Sequence, residues 1–65
     1  MKKESELQSA SLAGYKLFAL LKVAAFSGEE LEPIEAKAIF ELAYDLSVPV
    51  SSFILSLEQE ALNAN

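Results

Sequence analysis

Apolar positions recur at helical spacing in three stretches of the chain, and no stretch alternates with the period of a strand. The first runs from about residue 5 to 26. It is rich in Leu and Ala, both strong helix formers, and Gly14 is its only internal breaker. Its broad apolar face holds Leu7, Ala10, Ala13, Leu17, Phe18, Leu20, Leu21, Ala24 and Ala25, and Gly28 suits its C-terminal end. The second runs from about 33 to 46. Pro33 fits its first turn, Glu32 and Glu35 favour its positive end, and Ala38, Ile39, Phe40, Leu42, Ala43 and Leu46 make one face. The third runs from about 50 to 62, with Val50, Phe53, Ile54, Leu57 and Ala61 as its main face. Pro49 cannot donate to a helical hydrogen bond and clashes with the preceding turn, so Ser47-Val48-Pro49 is expected to be a break. The pattern predicts an all-α fold: a single helical domain over residues 1–65, built from three helices at 5–26, 33–46 and 50–62.

Helix wheels leave apolar residues over. Leu12, Tyr15, Val23 and Phe26 share the back of the first helix with Gln8, Ser11, Lys16 and Lys22, while Leu55 and Leu62 form a second edge on the third. Two covering helices could bury a central first helix, since a helix that is apolar all round is a buried helix. The alternative is that another chain covers what two helices cannot. A 65-residue chain that is 52% hydrophobic carries more apolar surface than so small a core can hide. The leftover residues Leu12, Tyr15, Val23, Phe26, Leu55 and Leu62 are therefore the candidate partner-binding positions, and the expected assembly is a homodimer or other homo-oligomer.

Charge narrows the partner. Residues 1–27 hold four lysines against two glutamates, a net +2, while residues 28–65 hold Lys37 against eight carboxylates, a net −7. The acidic half should repel nucleic acid and anionic membranes, and it could steer a basic partner or imitate nucleic acid toward a basic enzyme. Cys, His, Arg and Trp are absent, which removes thiol and imidazole catalysis, disulfides and nearly every transition-metal site. The serines have no His partner and no glycine-rich phosphate loop is present. Glu29, Glu30, Glu32 and Glu35 lack the ligand spacing of a calcium loop and read as a solvated acidic turn. No catalysis, cofactor or metal is expected. Lys2 and Lys3 before an apolar stretch resemble a signal peptide only until Glu4, Glu6, Lys16 and Lys22 are counted. The stretch from Ala10 to Phe26 is short for a membrane span and contains two lysines. The lysines and apolar face of the first helix would also suit a helix lying on a membrane surface, but that face is the core of the domain and the rest of the chain is strongly acidic, so the expectation is a cytoplasmic protein without a membrane partner.

Two resemblances bear on fold and function. Residues 41–57 resemble a helix-turn-helix motif, with Ala43 at the small contact position, Leu46 and Val48 flanking the turn, and Phe53 and Leu57 near the recognition helix's core positions. That helix would offer bases only Ser51, Ser52, Ser56 and Gln59, and no cation follows Lys37, so the phosphate contacts that dominate DNA affinity are missing. Residues 17–49 resemble the core repeat of the TerB-like (tellurite-resistance) helical family, through Ala25-Phe26-Ser27-Gly28, then Glu35, Ile39, Leu42 and Ala43, and Leu46-Ser47-Val48. Ser27 stands where that family has an acidic residue and Ser47 where it has Gly. The resemblance implies an all-helical fold and an accessory, stress-linked or scaffolding role, and the departures at Ser27 and Ser47 count against carrying over a metal site. The function expected from the sequence is a non-enzymatic protein–protein interaction module, an adaptor, regulator or inhibitor that self-associates through its first helix. The alternative is a helix-turn-helix-type nucleic-acid-binding regulator.

Overall fold

The computed structural model describes residues 2–27 and 30–64. Gly28 and Glu29, which the sequence assigns to the end of the first helix and to the acidic turn, lie outside them. Among the described residues there are two helices, α1 (Lys2–Ser27) and α2 (Pro33–Asn63). The all-α class agrees with the sequence, and the three-helix arrangement does not: the segments 33–46 and 50–62 are one helix of 31 residues that runs through Pro49. Pro49 leaves the Asp45 carbonyl without its helical donor, a loss typically of about 3 kcal/mol. Continuity keeps Val50 and Phe53 in register with Ile39, Ala43 and Leu46, so one stripe faces α1 from Ala36 to Phe53. Nearby, the Ser47 hydroxyl donates to the Tyr44 carbonyl at 2.8 Å. Residues 46–49 are therefore helical, and the turn required by a helix-turn-helix motif is absent.

The start of α2 follows the sequence closely. Glu32 is extended (φ −77, ψ 157) and Pro33 begins the helix. The Glu32 N–H donates to Glu35 Oε1 at 2.9 Å, and the Glu32 carbonyl accepts from Ala36 N–H at 2.9 Å. The Glu35 side-chain bond, with the Glu32 side chain turned in return to the Glu35 N–H, makes a capping box of two glutamates, while the bond from Ala36 is the first backbone bond of the helix; Glu35 also sits at the positive helix end.

The helices pack as an antiparallel hairpin. Two cross-contacts set the register: Lys3 Nζ lies 2.7 Å from Glu60 Oε1, and a Cβ on Gly14 would meet Val50 Cγ2 at 3.8 Å. This register puts Ala10 level with Phe53, Leu20 with Ala43, and Ala24 with Ile39, so small residues stand opposite larger ones. The buried or half-buried positions of α1 include Glu6, Ala10, Ala13, Leu17, Leu20, Ala24 and Ser27, spaced alternately four and three apart. Those of α2 include Ala36, Ile39, Ala43, Leu46, Val50 and Phe53, with the same alternation. This is the a/d seam of a two-stranded coiled coil.

A seam is all the core there is. Among the described residues only Ala10 and Ala13 are buried. The hairpin measures 50 × 20 × 16 Å, with a radius of gyration of 15.1 Å against about 11 Å for a compact chain of this length. It exposes 5468 Å², where a compact monomer of 7.1 kDa exposes about 4,100 Å².

Candidate interaction surface

Because the seam takes only the inner stripe of each helix, most of the large apolar residues face outward. Among the described residues sixteen large hydrophobic side chains are exposed, including Phe18 at 65%, Phe26 at 83% and Phe40 at 72%. In an antiparallel pair, the residues bordering the seam on one side of α1 share a flank with the corresponding residues of α2. One flank thus carries Leu7, Gly14, Phe18, Leu21 and Ala25 from α1, with Phe40, Tyr44, Ser47, Ser51 and Ile54 from α2. Over Leu7–Ala25 and Phe40–Ile54 this flank holds no charged residue. Glu4 and Glu58 bound it at the end bearing the termini, and Lys37 bounds it at the loop end.

The opposite flank is mixed. A groove of about 290 Å³ is lined by Glu6, Ser9, Pro49, Ser52, Phe53 and Ser56. It continues toward the termini past Lys3, Gln59, Glu60 and Asn63. Nearer the loop, Val23 and Leu42 sit on this side among Lys16, Glu35 and Asp45. These serines and carboxylates converge on no nucleophile–base pair, and among the described residues no group of three potential ligands is placed to hold a metal ion.

The six partner-binding positions expected from the sequence are all exposed, but the hairpin does not gather them into one patch. Leu12, Val23 and Phe26 border the mixed flank, Tyr15 lies on the back of α1, and Leu55 and Leu62 lie on the back of α2, facing the other way. Sequence reasoning assigned Leu7, Phe18, Leu21, Phe40 and Ile54 to the core. The structure leaves them outside, because the third helix that would have covered them is the continuation of the second. The signal that could have found them is the strict four–three spacing of Ala10, Ala13, Leu17, Leu20 and Ala24, which marks a narrow seam rather than a broad buried face.

Both helices are long and apolar enough to cross a membrane by length and composition. Lys16 and Lys22 of α1, and Glu41 and Asp45 of α2, are exposed midway along them. No protein-family model matches the chain, and comparison with characterised proteins and with solved structures finds no match in either.

Proposed function

We propose that the protein is a non-enzymatic protein–protein interaction module that acts through self-association. The observation that carries this reading is the poverty of the core: among the described residues two alanines are buried while sixteen large apolar side chains are exposed. Burying a large apolar side chain is worth about 1.5–3 kcal/mol, and a two-helix hairpin forgoes most of that gain until another chain covers it. Patches of this extent on small soluble proteins mark interaction sites. Lys22 and Glu41 on the outward backs of the helices, and Lys16 and Asp45 on the mixed flank, favour water over those surfaces, and the acidic surface of α2 limits non-specific contact with nucleic acid.

Sedimentation velocity from low micromolar to millimolar concentration, with helicity measured in parallel, tests this. The expected result is a concentration-dependent shift from monomer to a discrete oligomer, with helicity and thermal midpoint rising together. A folded monomer across the whole range overturns the proposal. So does quantitative co-flotation with lipid vesicles, which would make lipid rather than protein the cover for the apolar surface.

A further inference from the structure

Resting on the self-association proposed above, we infer that the charge-free flank is the docking surface for a second copy of the chain, which binds head-to-tail about a two-fold axis through Ser47 to form a four-helix bundle. The size of the exposed surface points to a second copy. Two separate hairpins expose twice 5468 Å², whereas a compact body of their joint mass exposes about 6,800 Å². The burial that closes this gap, about 4,000 Å², falls in the range of obligate homodimers. The flank itself is about 27 Å long at 1.5 Å per residue over Leu7–Ala25, enough for an extended helix-on-helix contact.

Charge chooses the direction. Lys37 bounds the flank at the loop end, and Glu58 and Glu4 bound it at the other. Head-to-tail docking, with α2 lying over α2 of the second copy, brings each Lys37 level with the second copy's Glu58. Docking with the loops at the same end would instead place each Glu58 against a Glu4 of the other copy, a like-charge contact.

The head-to-tail register also matches side-chain sizes. With Ser47 level with itself across the axis, Phe40 falls level with Ile54, while Tyr44 and Ser51, like Lys37 and Glu58, come level to within one residue, about 1.5 Å. On α1 the same register places Phe18 over Gly14, Leu21 over Ser11 and Leu7 over Ala25. Large residues meet small ones on the α1 pair and at Tyr44–Ser51, as ridges meeting grooves require. A two-fold contact must be self-complementary in this way, since each residue meets its partner twice.

The chain has no cysteine, so a single introduced thiol gives a clean readout. Ser47→Cys should form a disulfide-linked dimer on mild oxidation, because the axis brings the two positions together. Ser52→Cys, on the opposite flank, should stay monomeric on denaturing gels. Lys37→Glu and Glu58→Lys alter exposed positions that do not threaten the hairpin. Each alone should raise the dimer dissociation constant about five- to tenfold, and the double exchange should restore it to within about threefold. A wild-type chain that stays monomeric overturns the self-association itself, and this inference with it. A dimer that cross-links through Ser52→Cys rather than Ser47→Cys, or in which the two charge reversals add instead of cancelling, overturns the docking face and direction alone.

Discussion

Between its bounding charges, one flank of the hairpin presents Leu7, Phe18, Leu21, Phe40 and Ile54 without a single ionised group. The other presents Ser9, Lys16, Asp45, Pro49, Ser52 and Ser56. Both are drawn from the same two helices and border the same seam, so helix propensity and seam packing cannot account for the difference. A solvated flank gains from the mixed composition. Under the proposed self-association the charge-free flank is the one that gains from being covered, and the contrast separates a face suited to protein from a face suited to water.

The largest effect should come from placing a charge on each flank in turn. Phe18→Glu sets a carboxylate where the second copy would bury it, and should weaken dimerisation about 100-fold or more, the size expected of an interface hot spot. Val23→Glu adds the same charge on the mixed flank, where Lys16 and Asp45 are already solvated, and should change the dissociation constant by less than about threefold. Sedimentation equilibrium on the two variants measures both. Equal losses would erase the distinction between the flanks.

Pro49 gives the next effect, and it belongs to the mixed flank. Replacing it with Ala returns a donor to the Asp45 carbonyl and removes the ring's clash, so stability should rise by about 1–3 kcal/mol. Because Pro49 lies away from the docking face, the dimer should keep its affinity once the gain in hairpin stability is allowed for. Urea unfolding at fixed protein concentration gives the first quantity and dilution isotherms the second. A fall in stability would mean that the ring's contacts in the groove outweigh the missing hydrogen bond.

Pro49 also shows how far the sequence could be read. Helix periodicity, the α2 start at Pro33 with its Glu32 and Glu35, and the all-helical class were legible because each depends on neighbours a few residues apart. Whether the chain stops at Pro49 was not, because the answer depends on α1. A seam that runs from Ile39 to Phe53 is realised only if the helix continues, and that gain is tertiary. The same limit governs the interaction surface. An outward excess of apolar residues was visible at Leu12, Tyr15, Val23, Phe26, Leu55 and Leu62, and all six are exposed. Their division among one flank and two opposite backs follows from the number of helices, which turns on whether the helix continues through Pro49.

Gly14 sits on the charge-free flank and gives a smaller test with opposite signs. A Cβ there would lie 3.8 Å from Val50 Cγ2, an ordinary contact, so Gly14→Ala is tolerated within the hairpin. Alanine should then stabilise α1 by up to about 1 kcal/mol through helix propensity. In the head-to-tail dimer, Phe18 of the second copy packs over this position, and the added methyl should loosen the association several-fold. Thermal unfolding at high dilution and dissociation constants should therefore move in opposite directions. A change that strengthened both would place Gly14 outside the interface.

The smallest effect belongs to the ion pair that closes the hairpin at its termini. Lys3 and Glu60 meet at 2.7 Å, but their side chains are 68% and 49% exposed, so water and salt screen most of the attraction. Lys3→Ala should cost no more than about 0.5 kcal/mol, and the loss should shrink further as ionic strength shortens the screening length from about 10 Å at 0.1 M to about 3 Å at 1 M. Lys3 lies beside the mixed flank, where Glu6, Gln59 and Glu60 line the groove. Its removal should therefore leave the dimer's dissociation constant unchanged at every salt concentration. The Lys37–Glu58 pairs at the ends of the docking face should instead show salt dependence in association. A salt-dependent change in the dissociation constant caused by Lys3→Ala, with none caused by Lys37→Glu, would exchange the roles of the two flanks.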